Sequence, residues 1–554
     1  MSALIEILAA RREKVNHSYN SAKADARLSF KEGDATATEE YIFPNQIEDA
    51  FNVVNLFFKE KYRVISVQKK TKVGADGLMI EIAKQMTTHN DDKFVVNPAN
   101  VRIITGMSNA GWEKDMIEKA PSCFKDKIFH HGKLPRAELT NLSDALIIID
   151  EIDSGDKENQ VLHKILRDAH ILDVKYLEKN NIRIIVISAT MIKELHDLDK
   201  WGDHHALYKM TIPSSYIGHK DFLNMGIIQE FYSLETKESA MRWVREDILE
   251  HYGPDFRVHL VRVSEKTINF VKQACVNQNI QFRNHTSKER LSKEDIKELF
   301  QDPLKQHKVL VLKGLFRRAN LIPNSWKVRI GATHEFYTKM VDNNVQIQGL
   351  PGRMSGYWRH IIEGGHKTGP HRTSLKSIQE YEKIYNDPFG KHSYRASGFK
   401  MVGGKVESDG TLLSHAENLD VADSRETDSD LGKTVPIVFQ ITEHEYETIK
   451  KVGASWDYRT IHDIIKNQNQ ELADILEEIE KSGGKDQIVE AVGTYATYIE
   501  AFVDASVNNK KHMHNGNFTN KDTIKDTFQI YLDKIKYRMI VSIYYGTRTI
   551  QRED

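Results

Sequence analysis

The chain has 554 residues, 40% apolar and 28% charged, with a formal net charge of -1 at pH 7. That length exceeds one core and suggests about three or four structural units, and the apolar share excludes a chain disordered throughout. Neutral balance excludes a global basic field, so any nucleic-acid contact must come from a local groove lined with Lys and Arg. Cys123 and Cys275 are the only cysteines, which excludes cysteine-based zinc, iron-sulfur and disulfide frameworks and fits a reducing, intracellular (cytoplasmic) setting. The N-terminal MSALIEILAARREK has its apolar run broken by Glu6, unlike a signal peptide. No apolar run approaches membrane-spanning length, so no membrane association is expected.

In chain order, residues 1–40 read as an N-terminal extension. From 41 to 212 apolar runs alternate with helical segments: RVISV, LMIEIAKQM, VRIITG, ALIIID, VLHKILRDAH and IRIIVISA. Continuous Ile/Val runs between helices predict a parallel sheet covered on both faces, an α/β domain. After a connector at 213–245 the pattern returns over 246–389 in VHLVRVS, IQFRN, SKEDIKELFQ, VLVLKG and WKVRIGATHE, predicting a second α/β domain in tandem. Residues 390–434, rich in Gly, Ser, Asp and Asn, predict a loop-rich linker. Beyond them, PIVFQI gives way to helical periodicity in ELADILEEIEK and EAVGTYATYIEAFV, ending in IYLDKIKYRMIVSIYYG; a mostly helical accessory domain at 435–554 is predicted.

The stretch with most chemistry is ALIIIDEIDSGD, an apolar strand ending in Asp150, Glu151, Ile152 and Asp153. Carboxylates at the carboxyl end of a buried parallel strand face the crevice where α/β sheets bind ligands. There Asp150 can hold Mg²⁺ and Glu151 can orient or deprotonate an attacking water. A solvated acidic turn is the plain alternative. Later, IRIIVISATM sets Ser188, Ala189 and Thr190 after another apolar strand, where the hydroxyls can bond Asp153 and couple it to a nucleic-acid path. The histidine pairs His130/His131, His204/His205 and His366/His371 lack a ligand pattern and read as surface residues.

These motifs resemble those of superfamily 2 helicases, nucleic-acid translocases of the DEAD/DEAH-like kind with two RecA-like domains. The likeness runs from about Tyr41 to His360 through FPNQ, DEID, SAT and QGLPGRMSGYWR. It implies ATP and Mg²⁺ as cofactors and single-stranded or branched nucleic acid, DNA more than RNA, as partner. An origin in a phage or large DNA virus, hence a host-cell cytoplasm, goes with the unusual C-terminal region. By the same resemblance Gln46 reads an adenine edge and Arg353 is the arginine that reaches a terminal phosphate from the second domain. Lys313, Arg317 and Arg318, with Ser108 and Asn109 in the first domain and Arg262 and Ser264 in the second, contact a nucleic-acid backbone. The sequence departs from the pattern where Gln348 comes one place early and where Gly356 stands for a second arginine, for which Arg359 is a candidate replacement.

The phosphate loop departs further. If Thr71 begins the family's Thr-Gly-x-Gly-Lys-Thr in KKTKVGAD, Gly74 keeps its glycine, Ala75 replaces the lysine and Asp76 replaces the Mg²⁺-binding hydroxyl, with Asp76 itself a possible metal ligand. In the alternative register Lys72 is the phosphate lysine and the loop loses its glycine. An ATP-driven helicase or translocase is the leading expectation. A helicase-like scaffold that binds nucleic acid and turns nucleotide over poorly is the rival, and a partner-recruiting subunit is a third reading.

Overall fold

The structure is a computed structural model. It describes residues 2–34, 37–59, 62–91, 95–154, 160–191, 194, 201, 204–286, 288–300, 304–313, 322–339, 341–386, 399–402, 405–408, 434–449, 457–481, 486–490, 527–533 and 537–544. Among the described residues no helix is long and apolar enough to cross a membrane.

The first unit runs α1 (Ser2–Lys31), α2 (Pro44–Lys59), β1 (Val64–Gln68), α3 (Ala75–Thr88), β2 (Val101–Thr105), α4 (Ala110–Lys119), β3 (Ile128–Phe129), β4 (Ala145–Asp150), α5 (Val161–Asp168), α6 (Val174–Lys179), β5 (Ile182–Ser188) and β6 (His205–Lys209). Its six strands pair in the order β3-β2-β4-β5-β1-β6, all parallel. Successive side chains of a strand point to opposite faces, and the cores divide accordingly. Ile65, Val67, Ile103, Ile148 and Ile185 pack in one cluster, and Val64, Ile104, Ile147, Ile149 and Ile184 in the other. Because both faces are covered, the strands read as unbroken Ile/Val runs. The N-terminal α1 joins the first cluster through Val15 and Tyr19, and the Tyr19 hydroxyl donates to Glu81 Oε2 at 2.7 Å.

The second unit contains α7 (His219–Asn224), β7 (Ile228–Glu230), α8 (Lys237–Trp243), β8 (Val258–Arg262), α9 (Thr267–Asn277), β9 (Gln281–Thr286), α10 (Lys293–Leu299), β10 (Lys308–Lys313), α11 (Asn324–Lys327), β11 (Ile330–His334), α12 (Asn343–Ile347), α13 (Leu350–Met354), α14 (Arg359–Glu363), β12 (His371–Thr373) and α15 (Leu375–Asn386). Its strands pair in the order β7-β12-β11-β8-β10-β9, again all parallel. Val258, Leu260 and Leu310 fill one face; Val261, Val309 and Val311 fill the other. This is the tandem pair of parallel α/β sheets that the sequence predicts. The segment expected as a connector is drawn into the second unit, however: β7 extends its sheet and Phe222 of α7 lies in its core.

In the C-terminal region the described residues add strands to the expected helices. Three helices, α16 (Glu443–Ile449), α17 (Tyr458–Gln468) and α18 (Gln470–Lys481), pack on a four-stranded sheet. Its strands are β15 (Thr434–Gln440), β16 (Asp486–Glu490), β17 (Thr527–Asp533) and β18 (Arg538–Tyr544), in the order β15-β18-β17-β16. IYLDKIKYRMIVSIYYG thus supplies strands, in which Ile530 and Leu532, and Met539 and Val541, are buried two positions apart, a period of two. A hairpin of β13 (Phe399–Val402) and β14 (Lys405–Ser408) lies within the expected linker, while EAVGTYATYIEAFV falls outside the described residues.

His371 is not a surface residue either. It is fully buried in β12, with Nδ1 3.0 Å from Thr333 Oγ1, and burial pushes its imidazole down to about 3. Burial does the same to His334 and, with help from Lys70, to His219, each to about 3. Their folded values lie below the ordinary 6.5, so the unfolded chain binds more protons in between and stability falls as pH drops from about 6.5 toward about 3. Each histidine contributes about 1.4 kcal/mol per pH unit in that window. Thermal melts across the window should show the second unit losing stability steadily; a flat profile contradicts the neutral burial of these rings.

Candidate functional site

The adjacent strands β4, β5 and β1 end level with one another: Gln68 pairs with Ser188, and Asp150 with Ile187. Lys69, the 150–153 carboxylates and Ser188–Thr190 therefore meet at one carboxyl edge. The Trp112 indole N–H donates to Asp150 Oδ2 at 2.8 Å. Trp112 is placed by Asn109, whose side chain caps α4 by accepting from the amides of Gly111 (2.9 Å) and Trp112 (3.4 Å). The other oxygen, Asp150 Oδ1, is buried without a hydrogen-bond partner. Burial raises the Asp150 carboxyl above the usual range against the opposing pull of Lys69.

Glu151 follows with φ 51°, a left-handed conformation that costs a non-glycine residue about 1–2 kcal/mol. Its side chain has partners on both sides of the cleft. Lys69 Nζ lies 2.8 Å from Oε1, and Gln348 of the second unit donates through Nε2 to Oε2 at 2.7 Å and to Thr190 Oγ1 at 3.1 Å. Burial alone lowers the Lys69 ammonium, but Glu151 and Asp150 outweigh it and hold it above the usual lysine value. Asp153 accepts from Ser188 Oγ and Thr190 Oγ1, both at 2.8 Å.

The loop between β1 and α3 closes the cluster. Helix α3 begins at Ala75, after Gly74 in a left-handed turn at φ 92°. Lys72 is also left-handed at φ 57°. Lys70 reaches Glu382 of α15 at 2.6 Å and lies 3.7 Å over the Tyr385 ring. Three loop carbonyls are tied back: Thr71 O by the Tyr216 hydroxyl, Val73 O by the Tyr357 hydroxyl and Gly74 O by Gln46 Nε2, each at 2.6 Å. Across a planar trans peptide the following N–H points the opposite way, so the amides of Lys72, Gly74 and Ala75 face away from these clamps. Thr71 Oγ1 lies 3.2 Å from Ser355 Oγ, a further link to the second unit.

Gln46, expected to present its amide to a base edge, is buried against the loop. Its Oε1 accepts from Phe43 N at 2.9 Å, and it fits because Gly74 and Gly77 have no Cβ. Asp76, expected as a metal ligand, is paired with Lys119 at 2.5 Å; burial pushes its carboxyl up, but Lys119, Lys72 and Lys69 hold it below the usual range. Arg353, in α13, is 1% exposed and close enough to Lys72 to depress it, so that burial, Arg353 and Lys69 together push the Lys72 amine down to about 7.

The residues expected on a nucleic-acid path are scattered by comparison. Ser108 is exposed, and Ser264 bonds Thr267 at the start of α9. Arg262 pairs with Glu335 at 3.0 Å, and Lys313 pairs with Glu265. Arg317 and Arg318 lie outside the described residues. Arg359 donates to Asp221 Oδ1 at 2.6 Å and Tyr216 O at 2.9 Å. Sequence reasoning missed Trp112, Tyr357 and Lys327. Trp112 carried a signal as the last residue of TGMSNAGW, and Tyr357 as part of QGLPGRMSGYWR. These elements line a cleft of about 1980 Å³.

The solved structures to which the chain is similar include a DEAD box protein from Methanococcus jannaschii (14% identity, 61% of this chain and 90% of that one, TM-score 0.33). Others are the DEAH/RHA helicase HrpB of Escherichia coli (10%, 85% and 61%, TM-score 0.37) and the Hef helicase domain of Pyrococcus furiosus (9%, 60% and 97%, TM-score 0.34). No family model matches the chain, and no curated protein does.

The Gln46 brace yields a thermodynamic cycle. A Cβ at residue 77 would lie 2.3 Å from Gln46 Oε1, so Gly77→Ala must evict the amide and forfeit its two hydrogen bonds, costing about 1–3 kcal/mol in urea denaturation. In a Gln46→Ala background the same change should be neutral or stabilising, since alanine suits a helix better than glycine by about 1 kcal/mol. Simple additivity of the two variants contradicts the brace.

Proposed function

We propose that the chain is an ATP-driven helicase or translocase of the superfamily 2 type, acting on single-stranded or branched nucleic acid. One observation carries the reading: the buried Glu151 carboxylate is bonded to Lys69 of one unit and Gln348 of the other, so a change at this carboxylate is felt by both. The triphosphate lies against the N-terminus of α3 and the loop amides. A magnesium ion bound there would offset phosphate charge, and the residues fit it through Asp150 Oδ1, which is buried without a hydrogen-bond partner and lies 4.0 Å from Lys69 Nζ.

Phosphate arrival gives the Lys69 ammonium a new partner and releases Glu151 Oε1, which then orients the attacking water and takes its proton. Lys69 thereby does the work of the lysine that Ala75 replaces. Arg353, permanently charged, stabilises charge developing on the terminal phosphate. Asp153 ties the end of β4 to Ser188 and Thr190, linking the reaction to the segment after β5. The start of α3 at Ala75 favours the register in which Gly74, Ala75 and Asp76 stand for Gly-Lys-Thr. A second reading, the catalytically weakened scaffold, is favoured by the same ion pair, because Lys69 occupies the oxygen that a base needs.

Glu151→Gln should abolish nucleic-acid-stimulated ATP turnover while nucleotide binding persists; unchanged turnover removes the site from Glu151. Undetectable turnover in the parent that still binds nucleotide establishes the scaffold.

Lys69→Met should lower turnover by about 10²–10³, and Ala75→Lys should restore part of it in that background. Steady-state assays of both, with Lys72→Ala beside them, decide the register: if only Lys72→Ala silences the protein, Lys72 is the phosphate lysine.

A further inference from the structure

Strand β6 is the edge of the first sheet and runs parallel to β1 with Gln68 opposite Lys209. Lys70, two residues after β1 ends, and Lys209 therefore leave the sheet at the same edge, and both turn to α15 of the second unit. Lys209 Nζ donates to Tyr385 O at 2.5 Å and to Asn386 O at 3.1 Å, the last two carbonyls of that helix. The last carbonyls of a helix have no partner within it and carry the negative end of its dipole, so an ammonium there satisfies acceptors and charge together. Lys70 pairs with Glu382 one turn earlier, and the Tyr385 ring takes both ammonium groups, its centroid 3.7 Å from Lys70 Nζ and 5.2 Å from Lys209 Nζ.

Lys209 ends β6, and from it the chain passes through residues 210–218 into α7 of the second unit. The contact thus sits where the backbone itself crosses between the units. Lys209, Tyr385 and Asn386 all lie outside the residues that line the cleft, so whatever binds in the cleft does not compete for them. The C-terminal unit reaches the same point. Asn469, between α17 and α18, donates through Nδ2 to Asn386 Oδ1 at 3.4 Å and accepts through Oδ1 from Lys220 of α7 at 3.5 Å. Leu207 of β6 packs against the core of that unit.

We propose that Lys209 and the end of α15 form a hinge clamp, which pins the second unit to the first at the crossover, and that the C-terminal unit, seated on the clamp through Asn469, restrains the swing of the two units. The proposal goes beyond the nucleotide reading and needs no ligand: a chain that neither binds nor turns over ATP refutes that reading and leaves the clamp standing.

The test is hydrogen exchange by mass spectrometry on the full chain without ligand. It follows the amides bonded across the crossover, Ile217 N to Gly356 O at 2.8 Å and Arg359 N to Ser215 O at 3.4 Å. Lys209→Gln removes the charge and should speed their exchange about 10- to 100-fold, the range for losing hydrogen bonds to a charged group. The radius of gyration in small-angle scattering should rise with it, and Lys209→Arg, which keeps the cation, should stay near the parent in both. Asn469→Ser still caps α18, where Asn469 Oδ1 accepts from Leu472 N at 3.2 Å, but is too short to reach Asn386. It should speed the same amides by a smaller factor. Faster exchange confined to α15, with the crossover amides and the scattering unchanged, reduces Lys209 to a helix cap and overturns the clamp. Crossover amides indifferent to Asn469→Ser overturn the restraint by the C-terminal unit. If Lys209→Gln does not fold, Tyr385→Leu decides: loss of the ring that both ammonium groups face should speed the crossover amides about 2- to 30-fold, and an unchanged rate overturns the clamp.

Discussion

The Lys69–Glu151 ion pair sits where β1 and β4 deliver their ends, and the arrangement of the cleft follows from the need to satisfy it. Its two charges are nearly dry, so their attraction largely repays desolvation and adds little net stability, while loss of either partner alone costs about 3–5 kcal/mol. The pair is therefore better understood as a constraint than as a source of stability. It fixes the loop after β1 against the carboxylates after β4, and Gln348 extends the same carboxylate to the second unit.

The KKTK run concentrates three cations within four residues, and the fold distributes them. Lys69 turns to Glu151 on the first sheet, Lys70 crosses to Glu382 and the Tyr385 ring, and Lys72 lines the cleft. The left-handed turns at Lys72 and Gly74 then bring the chain into α3 with its carbonyls clamped by Gln46, Tyr216 and Tyr357. One of those clamps, Tyr357, comes from the second unit, so sliding of the units must break a hydrogen bond to the β1–α3 loop itself, worth about 0.5–1.5 kcal/mol. The loop is thus mechanically coupled to the second unit before any ligand is considered.

Much of the architecture is local information and was legible. Unbroken Ile/Val runs such as ALIIID and IRIIVIS specify buried parallel strands because each residue meets a core whichever face it takes. A strand that ends in Asp-Glu-Ile-Asp beside one that ends in Ser-Ala-Thr brings acceptors to donors once the strands are neighbours. The C-terminal strands were misjudged because the alternation in IYLDKIKYRMIVSIYYG is short and interrupted by charges, and a period of two is hard to separate from a helical one over so few residues.

By itself the sequence determined which residues carry charge, where the strands and their polar ends fall, and that residue 75 offers no ammonium. Only the tertiary structure decided which lysine turns toward the carboxylates. That choice depends on strand order and on the left-handed turns at Lys72 and Glu151, and neither is a property of neighbouring residues. It likewise brought Thr71 of the β1–α3 loop to 3.2 Å from Ser355 Oγ, although 284 positions separate them in the chain. Two parallel sheets must close on one another before Ser355 of the second can meet the loop of the first, and the absence of a side chain at Gly356 leaves room for the Lys327 ammonium on the Ser355 carbonyl.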